Sequence, residues 1–274
     1  MALDQLRIED ERSYRHIGLY QDLKQALVQD QVAFRVAPAS SSLARWDRVL
    51  FLNLTFWSPE EPGDVLETDE IAADVMMHAA WHHITRRALF ELHEPSAKSP
   101  EGFLLGEAIA SAFDMYLVGR LLGHSPDAAF LETQVPAMSE AAESAGMDED
   151  AFEAMLEQVA AEPDRAFEDL RALLFEASTA LVRCRSVEDA AQTVERFDKH
   201  RFGALLHHYE LSTWILYARA YAHDTGVPDA RVLEIDQTLK DSKSSLDWLE
   251  QNWITKGNRV SKSPSKAKRS GSTR

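Results

Sequence analysis

The chain has 274 residues, 29 basic against 45 acidic side chains, one cysteine and 45% apolar residues, which suits a globular protein of one large domain or two small ones. A net charge of −16 argues against general nucleic-acid binding by the folded body and against docking on anionic membranes. A lone Cys184 rules out a disulfide framework and fits a reducing, cytoplasmic setting.

The opening residues MALDQLRIEDERSYRH contain no apolar h-region, so no secretory leader is expected. Residues 9–30 read as a helix, because Ile17, Tyr20, Leu23, Leu27 and Val28 form an apolar stripe between charged and amide positions. Two β-like runs follow, Val32–Val36 and Val49–Trp57, rich in β-branched or aromatic residues and bounded by turn formers. A helix is expected from Thr68 to Leu92, with Thr68 as its N-cap and Asp69 and Glu70 in the first turn, where the helix dipole favours acids. His93 to Gly102 carries two prolines and reads as a loop. Phe103 to Leu122 is a second helix, stopped by Gly123 and Pro126. This segment has the length of a membrane span, but Glu107, Asp114 and Arg120 interrupt it, and such residues near a span centre cost roughly 2.5–3.5 kcal/mol each. A helix buried in protein is the expectation.

From Ser125 onward the pattern is a series of helices, near 126–145, 149–161, 164–183, 187–198, 200–223 and 229–252, most of them separated by Gly, Pro or Ser. The acidic stretch 140–170 reads as a solvated helix face, with partner docking as the alternative. The end of the chain, 256–274, holds seven basic residues and no acid, leaving 22 basic against 45 acidic residues before it. It has too little apolar surface to offset its ordering entropy, so a disordered tail is expected, with contact to a polyanion as a possible use. The fold class expected is α+β and predominantly helical. A small sheet packs on two helices within 1–124, and an all-helical half occupies 125–255, as a separate unit or continuous with the first.

The chemistry concentrates on the two central helices. His78 and His82 are four residues apart, so they project from one face one turn apart, a spacing at which one helix offers two imidazoles to a metal. Their face continues through Ile71, Val75, Thr85, Leu89 and Leu92, so both are expected to point into the core. On the next helix Glu107 lies among Leu104, Leu105, Ile109 and Ala110, poor company for an ionised carboxylate unless a cation, a proton or several donors satisfy it. A zinc ion held by His78, His82 and Glu107 would satisfy all three groups and leave a position for water. Asp114 is placed to accept from a ligand imidazole and fix its tautomer, with Asp74 as the alternative. The competing reading is a set of core histidines hydrogen-bonded to Glu107 or Asp114 without a metal.

The order of strand Val49–Trp57, helix with His78-x-x-x-His82, loop, and helix with Gly106-Glu-Ala-Ile-Ala110 resembles the zincin metallopeptidases of the gluzincin type over roughly residues 30–123. The resemblance implies a sheet over a His-Glu-x-x-His helix, zinc as cofactor, and His78, His82 and Glu107 as ligands. Ala79 stands where the family carries its catalytic Glu, and Ser111 stands where it often carries an Asp. Metal-bound water still needs a base to take its proton, and alanine is none. The resemblance therefore implies a non-catalytic, zincin-like protein that binds a divalent metal, a peptide along strand 49–57, or a protein partner. Three alternatives remain. One is an active zinc hydrolase with Asp74 or Glu210 as its base. Another is a two-metal helical site using Asp74, His78, Glu107 and His207 or His208. The last is an acidic adaptor with no metal site.

Overall fold

The computed structural model describes residues 1–36, 65–66, 68–91, 99–223 and 226–255. The predicted strand Val49–Trp57, most of the predicted loop after Leu92, and the basic tail lie outside the described residues. The protein is predominantly helical with a small β component. Among the described residues, two short parallel pairs carry the strands. The first joins β1 (Arg7–Glu9) to a later strand in the register Arg7↔Glu70, Ile8↔Ile71 and Glu9↔Ala72. The second joins β2 (Arg35–Val36) to β3 (Val65–Leu66).

The predicted helix 9–30 is divided. Residues Arg7–Glu9 are strand, α1 (Glu11–Tyr14) is a single turn, and α2 (Gly18–Gln29) carries the apolar stripe. Asp10, with φ 50°, leaves the helical region between strand and first turn. In α2, Leu19, Tyr20, Leu23, Ala26 and Leu27 are buried, whereas Val28 is exposed.

The helix predicted from Thr68 starts later. Residues Glu70–Ala72 form β4, paired with β1, and α3 runs from Ala73 to Arg86 and continues as a π-type segment over Arg87–Glu91. Thr68 instead accepts a hydrogen bond from the Glu70 amide at 3.2 Å, a local turn that leads into the strand. Strand pairing takes the amides that a first helical turn would have left open.

Helix α4 (Pro100–Leu122) is the central element. Ser99 caps it by accepting from the Gly102 amide, and Pro100 occupies the first turn, where a missing N–H costs nothing. Its 18-residue apolar window is 83% buried, and by length and composition it is the one described helix fit to cross a membrane. Here protein surrounds it. It packs on α3, on α6 (Glu149–Ala161) and most extensively on α7 (Pro163–Leu181). Each fully buried Leu, Ile or Phe on such a helix contributes roughly 1.5–3 kcal/mol. One hydrophobic cluster runs from Leu3 through Leu105 and Phe167 to Ile254.

The remaining α-helices among the described residues are α5 (Ala129–Ser144), α8 (Val187–Glu195), α9 (Leu211–Tyr221), α10 (Ala230–Asp241) and α11 (Ser245–Leu249), the last continued by a π-type turn to Thr255. The predicted helix 200–223 is broken. A 3-10 segment, Gly203–Tyr209, meets α9 at Glu210, which is left-handed at φ 47° and ψ 46°. The predicted helix 229–252 ends at Asp241 and restarts at Ser245, whose preceding residue Ser244 caps it by accepting from the Asp247 amide.

Candidate functional site

The core face of α3 is Ala73, Met76, Met77, Ala80, Trp81 and Ile84, all of them fully buried. It lies beside the stripe expected from the sequence, and Val75 on that expected stripe is exposed at 41%. His78 and His82 therefore stand at the border of the core, with side chains 32% and 38% exposed. They face a cleft of about 650 Å³. On α4 the pattern is complementary. Between Gly102 and Gly119 nearly every residue is buried, and Phe103, Glu107 and Asp114 are the half-buried ones. With Ser111 they follow a three-or-four spacing and form the cleft-facing edge of that helix.

Two glycines set how closely this edge approaches α3. A Cβ on Gly106 would lie 3.2 Å from Thr85 Oγ1, and one on Gly102 would strike the Phe90 ring at 2.7 Å. Their absence brings Glu107 across from His82. Asp114 lies 2.9 Å from His78 Nδ1. A carboxylate only accepts, so Nδ1 carries the hydrogen, and in the neutral imidazole His78 Nε2 then presents a lone pair. That nitrogen lies 3.0 Å from His82 Nε2, and Glu107 Oε2 lies 3.6 Å from the same His82 atom. The row Asp114–His78–His82–Glu107 thus crosses from α4 to α3 and back.

Asp74 takes another place. It accepts from the Tyr14 hydroxyl at 3.4 Å and is not among the residues lining the cleft. Burial, with a smaller effect from the Asp114 charge, raises its carboxyl above the usual range. Ala79 does line the cleft, and its methyl group offers no base.

A further part of the lining comes from the break between the 3-10 segment and α9. His208, Tyr209 and Glu210 line the cleft there, with Trp214 and Tyr217 following on α9. Burial lowers the His208 imidazole, opposed by the charges of Asp114 and Glu210. Burial also raises the Tyr209 phenol, with Asp114 adding to it. The Tyr217 phenol is pushed up to about 12 by burial and by the nearby Glu107 charge. From sequence this segment reads more simply as a helix with its aromatic residues in the core. The signal for a site was the polar string His207-His208-Tyr209-Glu210 inside an apolar helix. His207 is exposed and lies outside the cleft.

An ion bound at 2.0–2.1 Å by two tetrahedral ligands keeps those donor atoms roughly 3.3 Å apart. The His78–His82 and His82–Glu107 separations lie on either side of that value. The groups nevertheless do not close into a cage. Among the described residues, no three His, Cys, Asp or Glu side chains form a group that holds a metal ion as placed. Comparison with protein-family models, curated proteins and solved structures finds no match to this chain.

Proposed function

We propose that the protein is a binding protein without peptidase chemistry, and that its cleft takes a divalent cation, zinc suiting the donors best, at His78, His82 and Glu107. The observation that carries this reading is the Asp114–His78 hydrogen bond, which in the neutral imidazole leaves a lone pair on the nitrogen that faces the second ring. A carboxylate behind a ligand histidine fixes its tautomer and raises its basicity. When bound, the ion would supply Lewis acidity in the cleft. The chain's own residues bind and orient a ligand there, and Ala79 itself supplies no base. A protein or peptide partner fits the same reading, as the source of whatever enters the cleft.

Elemental analysis and Co²⁺ absorption of the full chain, stripped with chelator and then reloaded, test it. Stoichiometric uptake is expected, lost in His78→Ala and in His82→Ala. Added zinc at one hundred times its Kd should raise unfolding stability by about 2.7 kcal/mol. Uptake that ignores both substitutions, or no uptake at all, overturns the metal assignment. The second reading is then favoured by the 3.0 Å imidazole contact, a metal-free row in which His82 donates to His78.

A further inference from the structure

The cleft is also lined by aromatic rings. Phe103 lies 5.1 Å from Phe90 and meets Tyr217 edge to face at 5.1 Å and 86°. Glu107 follows Phe103 by one turn on α4, and its charge reaches the Tyr217 phenol. Carboxylates beside aromatic faces are the chemistry that holds an organic ammonium, through ion pairing and attraction to the ring quadrupole. Among the described residues lining the cleft, the carboxylates are Glu107, Asp114 and Glu210, and the one guanidinium is that of Arg86. The whole chain carries −16, so its field attracts cations and repels anions. Phosphates and carboxylates are poor occupants on both counts. The volume, about 650 Å³, lies in the range of small-molecule sites.

We infer that the cleft accepts an apolar-bodied amine, its body against Phe103 and Tyr217 and its ammonium held by the cleft carboxylates. This deepens the reading of the cleft as a binding site and does not depend on a metal. If Glu107 is engaged by an ion, Glu210 in the lining still supplies a charge. Its side chain is exposed, so Glu210→Gln leaves the fold intact.

The test uses three probes with one body, phenethylamine, 2-phenylethanol and phenylacetate, titrated by calorimetry into the full chain with chelator and again with zinc. The amine should bind at least tenfold more tightly than the alcohol, with the carboxylate weakest. Tyr217→Ala should weaken amine and alcohol alike. Glu107→Gln and Glu210→Gln together should remove the preference for the amine and leave the alcohol unchanged. Equal or tighter binding of phenylacetate, absence of saturable binding by all three, or an amine preference indifferent to the paired Gln substitutions overturns the proposal. Cobalt uptake with no amine preference defeats this inference alone, and an amine preference without cobalt uptake defeats only the metal reading.

Discussion

His78 shows how one side chain is set by two others. Its ring is held by Asp114 at one nitrogen and faces His82 with the other. Replacing Asp114 by Asn keeps the shape but exchanges the carboxylate that fixes the tautomer for a neutral amide. Under the metal reading, Asp114→Asn lowers zinc affinity about 10–100-fold, measured by competition with a chromophoric chelator, while the melting temperature without metal changes little. At this scale the sequence was informative. The 78/82 and 107/114 spacings follow from helical repeat alone, so which residues share an edge was legible before any fold was known. Their exposure was not. Val75, His78 and His82 belong to a stripe that looks apolar and whose Ile71, Thr85 and Leu89 are buried, but the fully buried side chains of α3 are neighbours such as Met77, Trp81 and Ile84.

At the scale of elements, close approach decides more than propensity. A Cβ on Gly119 would stand 2.4 Å from the Val159 carbonyl oxygen and 3.0 Å from Pro163. A backbone carbonyl cannot swing aside as a side chain does, so α4 must move off the junction of α6 and α7. Gly119→Ala is expected to destabilise by about 1–3 kcal/mol through overpacking, despite alanine's better helix propensity, and urea unfolding measures it. The N-terminal elements are joined by charge. Glu11 accepts from Arg15, Lys24 and the Tyr20 hydroxyl, and these partners lower its carboxyl to about 2. A carboxyl lowered on folding stabilises above its unfolded pKa, near 4.5, and loses that stabilisation as pH falls from there toward 2. The stability difference between the native chain and Glu11→Gln should therefore shrink across that window, as thermal melts at several pH values would show. The break at Glu210 was illegible locally. A left-handed non-glycine residue costs roughly 1–2 kcal/mol, and only packing on both sides of it repays that cost.

Across the whole molecule, a buried ion pair joins distant parts of the helical half. Arg171 on α7 is fully buried and donates to Asp236 on α10 at 2.7 Å, and Lys240 reaches the other carboxylate oxygen at 2.8 Å. Removing one member strands a charge in the interior. Asp236→Ala should cost about 3–5 kcal/mol, and pairing it with Arg171→Met should recover most of the loss, because an apolar pair of similar volume is often neutral or better. Chemical denaturation of the three variants measures the coupling. The amino-acid sequence by itself determined that this is an acidic, mainly helical chain with its longest apolar helix buried in protein, and it determined which polar residues share an edge of each central helix. Those properties depend on composition and on a 3.6-residue repeat, both local. Tertiary structure alone decided that β1 pairs with β4 across sixty residues, that the histidines border a cleft, and that a broken helix more than a hundred residues later adds to its lining. Such outcomes depend on which surfaces meet, and pairing free energies between distant segments leave no periodic mark in either one.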